Sequence, residues 1–253
     1  MTKKLRIINN SKPKKAAFIP PYEKGHKQFP SDLNTSLEFG TPIWSAYVPE
    51  FVNGLNKASD PYIKAAQKNL QDDVKQRTKK FGDKKDRGYV YHSTTLVNKP
   101  GFEKLNKYVV ATAYNFLDQI GFDMSNYQMA LTEMWVQEFS RNGGGFHSPH
   151  VHWNGHVSGF YFLKAGEETS KPVFHDPRPG HVMNSLPQKD ITKITPSSSL
   201  LNYACKPGTM IFFPSYLAHE YPPDLGYAPF RFIHWNCQAF PRNIMNIQNN
   251  ENN

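Results

Sequence analysis

Apolar positions recur at helical spacing in the first half of this chain and at strand spacing in the second. Ile63, Ala66, Leu70 and Val74 lie three or four residues apart, and Asp60-Pro61 suits an N-cap followed by the first helical residue. That pattern predicts a helix over about 60–80. Phe102, Leu105, Val109, Phe116 and Ile120 predict a second helix over 102–120, stopped by Gly121. After Gly121 the period shortens. Strands are expected at Ala130–Phe139, His150–Trp153, Val157–Leu163, Pro172–His175, Leu200–Cys205, Thr209–Phe213 and Phe230–Phe240, with Phe39–Trp44 as a strand ahead of the helices. Gly143-Gly144-Gly145, Pro177-Arg178-Pro179-Gly180 and Lys206-Pro207-Gly208 separate them. Two helices followed by many short strands indicate an α+β chain built on a jelly-roll barrel.

Composition narrows the setting. The 253 residues fit one large domain with an extension. Net charge is +9, and residues 1–30 carry eight Lys/Arg against the single acid Glu23. Residues 1–37 therefore read as a basic N-terminal arm, and 38–253 as the domain proper. Such an arm suits a nucleic acid or another acidic partner, or serves only as a solubilising terminus. Seven further Lys/Arg between Lys75 and Arg87 fit the exposed end of a helix and the loop after it. Cys205 and Cys237 are too few for a disulfide framework and read as buried thiols in a reducing compartment. No apolar run reaches the length of a membrane span and Met1–Leu5 lacks a signal-peptide core, so a cytoplasmic location without membrane attachment is expected.

Histidine supplies the candidate chemistry. Six of the ten histidines lie between His147 and His181. In an extended strand His150 and His152 would face the same side, about 7 Å apart. His219 follows Phe212-Phe213-Pro214, and Arg231 stands among Phe230, Phe232 and Ile233. Iron oxygenases commonly use two His and one carboxylate, leaving positions open for oxygen and a co-substrate. Here a histidine, His152, occupies the carboxylate slot, and Asp176 is the alternative source of a carboxylate. An Arg in apolar surroundings needs a partner, and the C5 carboxylate of 2-oxoglutarate is one; a structural ion pair is another. His147, His156, His175 and His181 read as hydrogen-bonded, surface or outer-layer residues, and His147 could replace His150 if the strand starts earlier.

The segments "GGGFHSPHVHWNGHVSGFYFLKA", "VFHDPRPG", "CKPGTMIFFPSYLAHEYPP" and "FRFIHWN", with "FGTPIW" and "GYVYHSTTLV" upstream, resemble 2-oxoglutarate–Fe(II) oxygenases of marine bacteria and their phages, a branch of the prolyl-hydroxylase-like superfamily. The resemblance spans about residues 37–240 and implies a double-stranded β-helix with helices packed outside it. It implies Fe(II) on His150 and His219, with His152 where prolyl hydroxylases have Asp, and 2-oxoglutarate anchored by Arg231. It places Ser158 and Tyr161 as co-substrate contacts. Asp176 and Arg178 could touch substrate at the barrel mouth. The implied activity is hydroxylation of an unknown substrate with release of succinate and CO2. Two alternatives stay open: a three-His dioxygenase without co-substrate, and a non-enzymatic jelly-roll module holding a structural zinc.

Overall fold

The computed structural model describes residues 39–82, 86–179 and 186–242. The basic arm and His181 therefore lie outside the described residues. The described helices and strands all belong to the compact unit that begins at Thr41.

The strands form two antiparallel sheets. Trp44–Tyr47 (β1), Val90–His92 (β2), Tyr127–Phe139 (β3), Val157–Lys164 (β5), Thr209–Pro214 (β8) and Phe230–Pro241 (β10) make the larger, in the order β1-β8-β5-β10-β3-β2. His147–His150 (β4), Val173–His175 (β6), Leu200–Asn202 (β7) and His219–Tyr221 (β9) make the smaller, in the order β4-β9-β6-β7. The result is a mixed α/β protein with mostly antiparallel sheets and few helices.

Strand alternation gives the larger sheet two working faces, because successive side chains point to opposite sides. On one face Phe139, Phe160, Phe162, Ile211, Phe213, Phe230 and Phe232 form a core with Phe174 and Tyr221 of the smaller sheet. Their rings meet edge to face or offset; Phe174 and Phe213 lie 4.9 Å apart, and Tyr221 and Phe232 4.8 Å. On the other face Val136, Val157, Tyr161, Met210, Phe212, Ile233, Trp235 and Cys237 pack with the helices Val52–Asn69 (α1) and Glu103–Gln119 (α3). Helix α1 contributes Leu55 and Ile63, and α3 contributes Leu105, Val109, Ala113, Phe116 and Leu117.

Helix α3 matches its expected bounds closely. The helix expected at 60–80 does not. It is two helices, α1 and Gln71–Phe81 (α2), with a break at Leu70 (φ −94°, ψ 0°). Helix α1 begins eight residues before Asp60, so Pro61 lies inside it and Asp60 is not its cap. The buried stripe Leu55, Ser59, Ile63 and Ala66 runs through the proline, and its packing outweighs the missing N–H. Gly82 ends α2 in the left-handed conformation at φ 63°, donating its N–H to Thr78 O.

Gly159 explains one motif. It lies between Ser158 and Phe160 in β5, where a Cβ would stand 2.4 Å from both Ile211 O and the Trp235 ring. Only glycine lets β5, β8 and Trp235 approach so closely. Among the described residues, no helix is long and apolar enough to cross a membrane.

Candidate metal centre

Strand β4 ends on His150, which stands opposite His219 at the start of β9. The expected strand over His150–Trp153 is displaced: β4 is His147–His150, and His152 belongs to the loop after it. The loop is pinned to its neighbour. His152 N donates to Ser215 O at 2.9 Å, and Ser215 N donates to His156 O at 3.1 Å. His152 thus reaches His150 through a loop rather than through strand alternation. Its ring centroid lies 5.1 Å from those of both His150 and His219, which lie 4.4 Å from each other. One ligand atom from each of the three falls within 4.8 Å of the other two, close enough to share a metal ion.

Burial favours the neutral imidazole at this centre. Loss of hydration brings His147 and His152 down to about 4 and His219 down to about 3, with neighbouring imidazoles adding to the shift in each case. Phe213, Phe160 and Phe174 flank the His219 ring at 4.8, 5.5 and 6.0 Å. His150 is exposed, so the cluster opens to solvent on that side. The Nε2 atoms of His152 and His219 are buried and lack a hydrogen-bond partner. Uncharged imidazoles with orphaned, converging nitrogens suit a divalent cation with nitrogen ligands.

The structure separates the other expected site residues. Arg231, expected to face the imidazoles, sits on the opposite face of β10 from Phe230, Phe232 and His234. Its guanidinium runs toward α1. Nε donates to Glu138 Oε2 at 2.7 Å, and Nη1 donates to Asp60 Oδ1 at 2.6 Å and to Asn56 O at 3.3 Å. A structural ion pair, the alternative reading of this arginine, accounts for its burial. Tyr161 is also turned away from the histidines. It lies on the helix-facing side of β5, and its hydroxyl donates to Val48 O at 2.5 Å. Ser158 does face the histidines, but its hydroxyl is engaged by Asn236 Oδ1 at 2.6 Å and Ser215 Oγ at 2.8 Å. Asp176 is not part of the three-His group. Its carboxylate accepts from Arg178 Nε at 2.9 Å and Nη2 at 2.6 Å, at the end of β6, whose Phe174 pairs with His219.

Several residues of the centre escaped sequence reasoning. His234 is buried between Trp135 and His152, with ring centroids 4.4 Å from each, and neither of its nitrogens has a partner. Burial holds its pKa well below the usual value. Asn236 Nδ2 contacts His152 Nδ1 at 3.2 Å and donates to Glu133 Oε2 at 2.7 Å. Gln137 Oε1 meets His147 Nε2. All share a face with Phe232 or Phe139, so counting alternate residues along β10 and β3 from those aromatics would have found them.

A search of curated proteins returns no match. Among solved structures, the chain is similar to AviO1 from Streptomyces viridochromogenes Tue57, at 15% identity and a TM-score of 0.47, covering 78% of this chain and 90% of that one. It is similar to a prolyl-4-hydroxylase from Pseudomonas putida, at 9% identity and a TM-score of 0.44, covering 78% and 93%. It is also similar to an oxidoreductase of the 2OG-Fe(II) oxygenase family from Burkholderia pseudomallei, at 16% identity and a TM-score of 0.41, covering 59% of this chain and 66% of that one, just under two thirds of its length. Residues 133–229, which carry His150, His152 and His219, match the family model described as "Putative 2OG-Fe(II) oxygenase".

Proposed function

We propose that this protein is an Fe(II)- and 2-oxoglutarate-dependent oxygenase with a double-stranded β-helix fold. The observation that carries the reading is the convergence of His150, His152 and His219, residues up to 69 positions apart, to within 4.8 Å inside the segment that matches the family model. Iron bound there with 2-oxoglutarate would supply the oxidising chemistry, turning O2, the keto acid and a substrate C–H group into a hydroxylated product, succinate and CO2.

The chain's own contribution is to hold and shield. Leu217 O and Ser148 O orient the His219 and His150 rings from behind, at 3.0 and 2.7 Å. Phe160, Phe174 and Phe213 keep water from the inner side. The exposed side of His150 faces the approach of substrate, and we assign the paired Asp176 and Arg178 at the end of β6 to contact with it. The basic arm, residues 1–37, is assigned to an acidic partner or nucleic acid, tested by loss of DNA retention on deleting residues 1–30.

The test is anaerobic loading with Fe(II) and 2-oxoglutarate, then admission of oxygen, with succinate and CO2 measured. Metal bound without any turnover of the keto acid, coupled or uncoupled, would reject the proposal. One observation favours a second reading, a three-His dioxygenase that needs no keto acid: Arg231 is engaged by Glu138 and Asp60 rather than facing the imidazoles. Oxygen consumption that persists without 2-oxoglutarate would select it. A closed structural zinc site would need a fourth protein ligand, and among the described residues the group holds three.

A further inference from the structure

We propose that His152 is a hydrogen-bond donor at the metal centre and not a third ligand, its proton held on Nε2 by Asn236 and Glu133. The inference rests on the oxygenase reading for its metal and deepens it by assigning the third imidazole.

A metal-binding imidazole offers the lone pair of one nitrogen while the other nitrogen donates its N–H to an acceptor. His150 and His219 obey that rule. Their Nδ1 atoms lie 2.7 Å from Ser148 O and 3.0 Å from Leu217 O, and a carbonyl can only accept. In the neutral ring each therefore carries its proton on Nδ1 and leaves Nε2 bare.

His152 is the reverse case. Its Nδ1 faces Asn236 Nδ2 at 3.2 Å, and an amide nitrogen can only donate. The amide orientation is itself determined by its neighbours. Asn236 Nδ2 also donates to Glu133 Oε2 at 2.7 Å, while Asn236 Oδ1 accepts from Ser158 Oγ at 2.6 Å. Turning the amide over would set its oxygen against the Glu133 carboxylate. Glu133 is held in turn by Asn154 Nδ2 at 2.6 Å. His152 Nδ1 is thus an acceptor, and the neutral ring must carry its proton on Nε2. That Nε2 is buried and lacks a partner within the protein, and its ring is one of the three that cluster with His150 and His219.

A buried N–H beside a dication needs an acceptor that the metal also attracts. The chemistry that satisfies both is an oxygen of a small carboxylate bound at the metal. Two neutral imidazoles leave the cation's charge intact, so an anionic oxygen is favoured over a neutral one. Asn236 and Glu133 are positioning residues: they lie outside the three-His group and set which nitrogen of His152 holds the proton.

Three measurements test the assignment. In metal-free protein labelled with 15N-histidine, NMR should show His152 protonated on Nε2 and His150 and His219 protonated on Nδ1; the opposite state at His152 overturns the proposal. Anaerobic titration with Co(II) should show a loss of about 100-fold or more for His150→Ala and His219→Ala, but a change within about threefold for His152→Gln, which keeps an N–H donor. A loss in His152→Gln equal to that in His150→Ala overturns it. The double variant Glu133→Gln/Asn236→Asp places a carboxylate acceptor at Nδ1, freeing Nε2 as a ligand. It should bind Co(II) about 10-fold more tightly, whereas unchanged or weaker binding argues against the proposal. Wild-type protein that binds no Co(II) would defeat the oxygenase reading, and the proton positions in metal-free protein would still decide this one.

Discussion

Arg231 Nε donates to Glu138 Oε2 at 2.7 Å from the facing position of the neighbouring strand, and the two side chains are 4% and 8% exposed. A pair so fully withdrawn from water is costly to break, because Glu138 would keep as its cation only the half-exposed Lys164, whose Nζ lies 3.5 Å away. Arg231→Ala should therefore destabilise the fold by about 3–5 kcal/mol. Calorimetry or thermal circular dichroism would show it as a fall of roughly 2–4 °C in Tm per kcal/mol. Co(II) affinity of the folded fraction should stay near wild type, since the guanidinium lies on the helix side of the sheet. Loss of metal binding without loss of stability would contradict that placement.

Tyr161→Phe provides a milder test of the same geometry. Removing the hydroxyl breaks the bond to Val48 O and should cost about 1 kcal/mol. Binding of 2-oxoglutarate to metal-loaded protein, followed by calorimetric titration, should be unchanged. A selective loss of keto-acid affinity would return Tyr161 to the site.

Gly159→Ala should be far more damaging than its size suggests. The added methyl would lie 2.4 Å from the backbone oxygen of Ile211 and from the Trp235 ring. Neither a sheet carbonyl nor a fully buried indole can give way cheaply. The expected outcome is a loss of more than about 3 kcal/mol, or insoluble protein. A soluble variant with wild-type Tm would show that the two strands separate more readily than their packing implies.

Acid should weaken the metal-free fold. The folded-state values of His147, His152 and His219 lie at about 4, 4 and 3, below the 6.5 of a free imidazole. As pH falls below 6.5 the unfolded chain takes up protons that the folded protein refuses. Stability is therefore full above that value and is lost progressively down to the folded values. Between pH 7 and pH 5 the Tm of metal-free protein should drop by roughly 5 °C or more. Replacing His219 by Gln should flatten that dependence, and a Tm indifferent to pH over this range would contradict neutral burial.

Much of the molecule was legible in the residue pattern because the relevant forces are local in sequence. The stripe of Phe102, Leu105, Val109 and Phe116 produced α3 nearly to the residue. The alternation Phe230-Arg231-Phe232-Ile233 marked β10, and the short spacing of His150 and His152 marked them as neighbours, although a loop and not strand alternation brings their rings together. Contacts distant in sequence moved two element boundaries. The helix start expected at Asp60-Pro61 was overridden because Leu55 and Ser59 are buried on the same side of α1 as Ile63. Strand β4 ended earlier than expected because the loop bearing His152 bonds to Ser215.

By itself, then, the amino-acid order determined the element types, the two-faced strands and the histidines at issue, since period and spacing act over a few residues. Only the tertiary structure decided which face of β10 looks toward the imidazoles. That choice sends Arg231 to Glu138 and Asp60, and brings His234 and Asn236 to His152. These partners are 84 to 171 residues apart for the hydrogen-bonded pairs that matter most, and chain folding rather than local propensity brings them together. The proton on His152 is the clearest instance: the ring is the same in any sequence context, and a distant amide selects which nitrogen is free.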